Sequence, residues 1–284
     1  METKELKCPI GNERTVTVIC PQSGWVPIDF KELWSYRELL YTFVQRDIKV
    51  RYKQTALGAA WAIIQPFFMM VVFTIFFGKL AKISSEGIPY PLFSYAALLP
   101  WMLFAEGITR STNSMVVNSR IMTKVYFPRM IMPLSGVISP LADFAVAFVI
   151  LIGMMLYFGY VPTLNMLWLP LFLILALLTS LGVGLWLSAL NVQYRDFHHT
   201  VPFLIQLWLF ASPVVYPSTL LPEPYSTIYG LNPMAGVIEG FRWALLGTNP
   251  PSSMIVMSIV IVLALLISGA FYFKRMEKTF ADVV

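Results

Sequence analysis

Few residues in this chain have the chemistry to act on another molecule, and their spacing narrows what that chemistry is. His198 and His199 are the two histidines. Adjacent helical positions point about 100° apart, poor geometry for sharing one metal ion, so they read as interfacial polar residues and no metal site is expected. Glu106 and Arg110 stand four apart, acid first, the order that favours an ion pair on one helix face. Asp143 lies between Pro140 and Gly153 with no cation within one helical turn, so its partner must come from another helix, a backbone group or water. Arg46, Lys49, Arg51 and Lys53, with Asp47 among them, crowd charge against an apolar run in FVQRDIKVRYKQTALGAAW (43–61). Such a cluster suits either a nucleic-acid patch or the water side of a membrane boundary. The patterns HExxH, GxSxG and GxxxxGK[ST] do not occur, so this sequence carries no zinc-hydrolase helix, no nucleophile elbow and no Walker loop of its own.

Composition decides between the two readings of the basic cluster. The chain has 284 residues, 57% of them hydrophobic and 12% charged, with a mean hydropathy of +0.70. Soluble domains carry about a quarter charged residues, and a soluble nucleic-acid-binding domain could not keep this much apolar surface in water. A polytopic, all-α integral membrane protein is expected, with no nucleic-acid partner, and the net charge of +5 then reports orientation. Cys8 and Cys20 have no histidine nearby to complete a metal site and read as reduced thiols. METKELKCPIGNERTVTVICP has no apolar core of signal-peptide length, so a cleaved leader is not expected.

A hydrocarbon core about 30 Å thick needs roughly 20 apolar residues per helix. Runs of that kind predict six spans, near 57–78, 91–110, 130–158, 166–190, 200–216 and 254–273, which place both termini on one side. Placing the N-terminus inside puts seventeen of the twenty Lys and Arg residues on the inner face and leaves Lys79, Lys82 and Arg242 outside, in keeping with the excess of basic residues in cytoplasmic loops. Residues 1–28 carry no readable role. Over 29–53, Asp29 with Glu32 offers a capping box, and Leu33, Trp34, Leu40, Tyr41, Val44 and Ile48 recur at helical spacing. That segment predicts an amphipathic helix in the interface plane, either a lipid anchor or a docking surface for a cytosolic partner. Residues 54–284 form the transmembrane domain.

The external segment 217–251 is too long for a simple connection and too apolar for a solvated loop. Asn232 then Pro233 is a helix start and Gly247 a stop, bounding a helix too short to span. A re-entrant helix in the outer leaflet follows, covered by protein or a water-filled cavity, with Glu239 and Arg242 placed to pair, as a lid or gate at the mouth of a pathway. Within the spans stand Trp61, Phe67, Phe68, Phe73, Phe76, Phe77, Trp101, Phe104, Trp208, Phe210 and Tyr216. Each ring alone is ordinary packing or an interface belt. As a set they would suit a conduit in which the flat apolar faces of sugar rings slide over aromatics.

RDIKVRYKQTALGAAWAIIQP (46–66), MTKVYFPRMIMPL (122–134), NVQYRDFHHTVPFLIQLWLFASPVVYP (191–217) and NPMAGVIEGFRWALLG (232–247) closely resemble the membrane subunit of ABC-2 type polysaccharide exporters, the permeases for lipid-linked O-antigen, capsule and teichoic acid polymers. The resemblance runs from about residue 30 onward. It implies a non-enzymatic half-transporter of the bacterial inner membrane that forms a homodimer and pairs with two copies of an ATP-binding cassette subunit. ATP and Mg would sit on that subunit, and this chain would bind no cofactor. It implies that the 29–53 helix and the 118–129 loop meet the ATPase, with Arg46, Asp47, Lys49, Arg51, Lys53, Arg120, Lys124, Arg195 and Asp196 as candidates for that interface or for the lipid pyrophosphate. It also implies that 217–251 forms the outer gate and that the substrate is a polymer on an undecaprenyl-type lipid. Arg51 and Lys53 would attract the pyrophosphate, since two cations near a dianion at low local dielectric are strongly favoured. The rivals are an ABC-2 permease for drugs or small lipids, and a membrane glycosyl or phosphoglycosyl transferase. The transferase would need a carboxylate cluster on a cytosolic domain that these short loops do not provide.

Overall fold

The structure is a computed structural model that describes residues 30–53, 58–161, 163–194, 196–220, 228–250, 254–278 and 280. The expected Asp29 cap, both cysteines, Arg195 and residues 221–227 of the external segment lie outside the described residues. Among those described, every regular element is helical. The expected 29–53 helix forms as two pieces, α1 (Phe30–Ser35) and α2 (Arg37–Lys53). Then follow α3 (Gly58–Phe73), prolonged by a π-helical turn over Thr74–Leu80, and α4 (Tyr90–Val117), α5 (Ser119–Met122), α6 (Ile131–Ile138) and α7 (Leu141–Tyr157). A 3-10 turn over Leu164–Trp168 opens α8 (Leu169–Gln193), and the chain continues through α9 (Phe197–Phe210), a 3-10 turn at Ser218–Leu220, α10 (Pro233–Leu246) and α11 (Met254–Met276).

Among the described residues, five helical units are long and apolar enough to cross a bilayer: Ala60–Leu80, Tyr90–Val117, Ile131–Tyr157, Leu164–Gln193 and Met254–Met276. The chain is thus a multi-pass membrane protein. The third unit is broken between α6 and α7 at Ser139–Pro140, because proline brings no N–H to the helical ladder and its ring clashes with the carbonyl four residues back. The expected span over 200–216 takes a different form. Its helix, α9, has 14 residues, about 21 Å at ~1.5 Å per residue, and stops at Phe210. The helix ends three residues before Pro213, which has no N–H to continue the ladder. Even so, His198 Nδ1 lies 2.9 Å from Asn113 Oδ1, the Phe104 and Trp208 ring centroids are 5.0 Å apart, and the Tyr90 hydroxyl donates to the Val215 carbonyl at 2.7 Å. The chain from α9 to Val215 therefore runs antiparallel to α4 from Asn113 back to Tyr90, roughly 34 Å of helix.

Helix α4 is the centre of the bundle, with Leu92, Phe93, Tyr95, Phe104 and Met115 fully buried. Lipid tails give no hydrophobic drive for helix association, so close packing and hydrogen bonds must hold the neighbours. Two glycine contacts do this. A Cβ on Gly136 of α6 would lie 2.8 Å from the Ser111 backbone nitrogen of α4, and one on Gly269 of α11 would lie 2.5 Å from the Gly182 carbonyl oxygen of α8. A second core closes the basic end, where Phe43 of α2 meets Phe127 at 5.9 Å and joins Met115, Ile131, Leu185 and Phe273. Leu33, Tyr36, Leu39 and Leu40 pack against this core, whereas Trp34 and Tyr41 of the expected apolar stripe face outward. Arg129 donates to the Glu277 carbonyl at 2.6 Å, tying the 118–129 loop to the end of α11.

Candidate functional site

A cavity of about 450 Å³ opens between α3, α4, α7 and α9. Periodicity puts its wall together: Trp61, Gln65, Met69 and Phe73 recur at one-turn spacing on α3, and Pro202, Gln206 and Phe210 do so on α9. Trp101 and Met102 of α4 and Phe144 of α7 complete the apolar lining. Arg51, Glu106 and Asp143 also reach the wall, so an aromatic chamber meets a charged floor.

That floor is a four-charge network carried by three helices. Arg51, at the end of α2, donates through Nη1 to Glu106 at 2.8 Å and to Asp143 at 2.9 Å. Arg110 donates through Nε to Glu106 at 2.8 Å, the pair its spacing predicts, and reaches Asp143 at 3.7 Å and the Ser139 hydroxyl at 3.2 Å. Tyr52 donates its hydroxyl to Asp143. Burial and that hydrogen bond push the Tyr52 phenol up to about 12, so it stays a donor at neutral pH. Asp143 thus finds its partner on another helix, and two cations meet two carboxylates with no net charge. Along α4, Arg110 and Glu106 stand about 10 and 16 Å from the Val117 end, at ~1.5 Å per residue. Ionised groups at such depth are kept by pairing.

The opposite end holds a second polar assembly. Asn232 caps α10 by accepting from the Met234 amide at 3.1 Å, Pro233 follows at the first helical position, and Gly247 ends the helix at φ 67°, as the sequence predicts. Beyond capping, Asn232 Oδ1 accepts from the Trp208 indole at 3.0 Å, and its Nδ2 donates to the Ala211 carbonyl at 3.0 Å and the Ser212 hydroxyl at 2.9 Å. One amide therefore knots the end of α9 to the start of α10. Arg242, 1% exposed, donates to the Val214 carbonyl at 2.8 Å and to the Tyr216 and Phe93 carbonyls at 3.4 Å, and its guanidinium lies 3.6 Å from the Phe93 ring centroid. Glu239 completes the expected pair at 3.5 Å and accepts from the Ser218 amide at 3.2 Å. Around these groups α10 is encased by α4, α8 and α11, with twelve of its fourteen residues buried.

The aromatic candidates divide. Trp61 and Trp101 line the cavity, but Phe67 and Phe68 sit on the outer face of α3, both exposed. Phe104 is fully buried between Trp101 at 5.3 Å and Trp208 at 5.0 Å, so Phe104 and Trp208 pack helices together. Tyr216 bonds through its hydroxyl to the Phe210 carbonyl and to Tyr229. Among the basic-end candidates, Arg46 pairs with neighbouring Asp47 at 2.8 Å and lies over the Phe43 ring, while Lys49, Lys53, Arg120, Lys124 and Asp196 are exposed. Sequence reasoning missed Tyr52, Asn113, Gln65 and Gln206. The last two carried a visible signal, a lone amide inside the apolar runs AIIQPFF and FLIQLWLF.

Comparison with known proteins places this geometry. The family model described as ABC-2 type transporter matches residues 38–246, a stretch that contains the cavity, the charge network and the Arg242 clamp. The chain belongs to the ABC-2 type transporter family. It is 30% identical to the O-antigen export system permease protein RfbA of Myxococcus xanthus over 258 residues, covering 89% of this chain and 98% of that one. It is also 30% identical to the RfbA of Klebsiella pneumoniae over 250 residues, covering 87% and 95%. It is 24% identical to the polysialic acid transport protein KpsM of Escherichia coli over 206 residues, covering 71% and 78%. As a member of that family, the chain is a transporter permease subunit.

Proposed function

We propose that this chain is the permease of an exporter that moves a lipid-linked, O-antigen-like polysaccharide across the bacterial inner membrane. The observation that carries the proposal is the 30% identity to an O-antigen export permease across 98% of that protein's length. The open aromatic cavity supports it, because rings hold sugar faces without locking them. Two copies of the chain form the path and two copies of an ATP-binding cassette subunit, holding ATP and Mg, drive it. The run from His198 to Val215 alongside α4 supports a sixth crossing made of α9 and its non-helical exit, which returns both termini to the cytoplasmic side. α1 and α2 form the interface helix. Their outward Trp34 and Tyr41 suit headgroups, and Arg46, Asp47, Arg120, Lys124, Arg195 and Asp196 suit the ATPase contact.

Exposed Lys49 and Lys53 would meet the undecaprenyl pyrophosphate first, with Arg51 joining only by exchanging Glu106 or Asp143 for phosphate oxygens. Asn232, Pro233, Glu239 and Arg242 set the outer gate by fixing the α9 exit against α10. Deletion of the gene is the test. Surface polysaccharide should disappear while lipid-linked polymer accumulates inside. Unchanged surface polymer together with lost drug efflux would assign the chain to the small-molecule branch of the family.

A further inference from the structure

Two side chains in the cavity wall carry polar groups that the protein itself leaves unused. Gln65 of α3 and Gln206 of α9 both line the chamber, both are exposed to it, and neither amide has a hydrogen-bond partner among the described residues. They stand in the middle of apolar helices, where an unsatisfied primary amide facing hydrocarbon is costly and a leucine would pack better. Such a group persists where water or a polar cargo meets it. Each also has a ring one turn away on the same wall: Trp61 precedes Gln65 on α3, and Phe210 follows Gln206 on α9.

We infer that Gln65 and Gln206 are the polar contacts to the passing polymer, binding the hydroxyls of a sugar chain whose faces rest on Trp61 and Phe210, both about half exposed. A neutral amide both donates and accepts, which matches a hydroxyl. It matches neither an acyl tail, which offers nothing to bond, nor a phosphate, which would select the cations of the floor. Net hydrogen bonds of this kind are weak enough to make and break as the chain advances. The inference rests on the reading of this cavity as a polysaccharide path.

The test replaces the chromosomal gene in the source cell with Gln65→Leu, Gln206→Leu, the double variant, and Gln→Asn at both positions, and follows polymer arrival at the surface after induction. Losing both amides should slow arrival about ten-fold, two weak hydrogen bonds' worth, with lipid-linked polymer building up inside and membrane levels of the protein unchanged. The Gln→Asn pair, which keeps amides on shorter stems, should recover most of that loss. Wild-type export by the double leucine variant overturns the inference. So does a slowdown that only tracks a fall in protein level or in dimer, which would make the amides structural. Failure of the export reading itself looks different, since deleting the whole gene would then leave surface polymer in place.

Discussion

Replacing Arg242 with methionine should loosen the end of the bundle where α9 meets α10. Methionine matches much of the arginine stem but supplies no donor, so the Val214, Tyr216 and Phe93 carbonyls lose a partner and Glu239 keeps only the Ser218 amide. Removing one member of a buried ion pair costs about 3–5 kcal/mol. The desolvated contact with the Phe93 ring is worth up to ~2 kcal/mol and overlaps that figure. A total near ~4 kcal/mol, at about 2–4 °C per kcal/mol for a chain of this size, lowers the unfolding midpoint by on the order of 10 °C. Fluorescence-monitored melting of the detergent-solubilised protein measures this. Arg242→Lys, which keeps the charge but not the planar fork, should lose about half as much. Glu239→Gln combined with Arg242→Met should recover part of the loss, because no carboxylate is then left unpaired. A midpoint for Arg242→Met within about 2 °C of wild type would refute the assignment of Arg242 as the clamp on the α9 exit.

Arg51→Met and Asp143→Asn should each destabilise the protein, and the double variant by less than their sum. The coupling should be about 1–2 kcal/mol, reduced by the partial exposure of both groups, and a double-mutant cycle of melting curves reads it. Asn232→Ala removes the α10 cap and strands the Trp208 indole, at about 2–3 kcal/mol, whereas Asn232→Asp keeps both acceptor contacts and should lose less in the same assay. Gly269→Val drives its side chain into the Gly182 carbonyl, 2.5 Å from the first added carbon, and should cut the folded yield seen by size-exclusion chromatography sharply.

What the sequence disclosed and what it hid follow from the range of the interactions. Long apolar runs are local, so five crossing units appeared close to their observed bounds. Caps are local too, so Asn232, Pro233 and Gly247 announced α10, and i,i+4 spacing announced Glu106 with Arg110. The expected 200–216 span exceeds the helix that forms because hydropathy continues through ASPVVY, whereas α9 stops three residues before Pro213, whose missing N–H weakens any further turn. Asp143 plainly needed a partner, yet Arg51 and Tyr52 lie about ninety residues away in the chain and no pattern pairs them. Arg242 in EGFRWALL read as half of an ion pair with Glu239. Its larger task, holding three carbonyls, depends on the turn after α9, which only tertiary packing forms. The aromatic set was visible as a composition, but the division between Trp61 on the wall and Phe104 in the core depends on helix rotation.

The contact between the Gly182 and Gly269 backbones, with Gly136 against α4, leaves those helices no room to slide past one another. Any widening of the chamber then falls to α3, α7 and α9, and the outer faces of α3 and α9 carry Phe67, Phe68, Phe203 and Leu207. Where lipid covers those faces, their movement must displace acyl chains. The bilayer's viscosity should then enter the machine's load, so a membrane stiffened by saturated tails should slow the cycle without altering a single side chain.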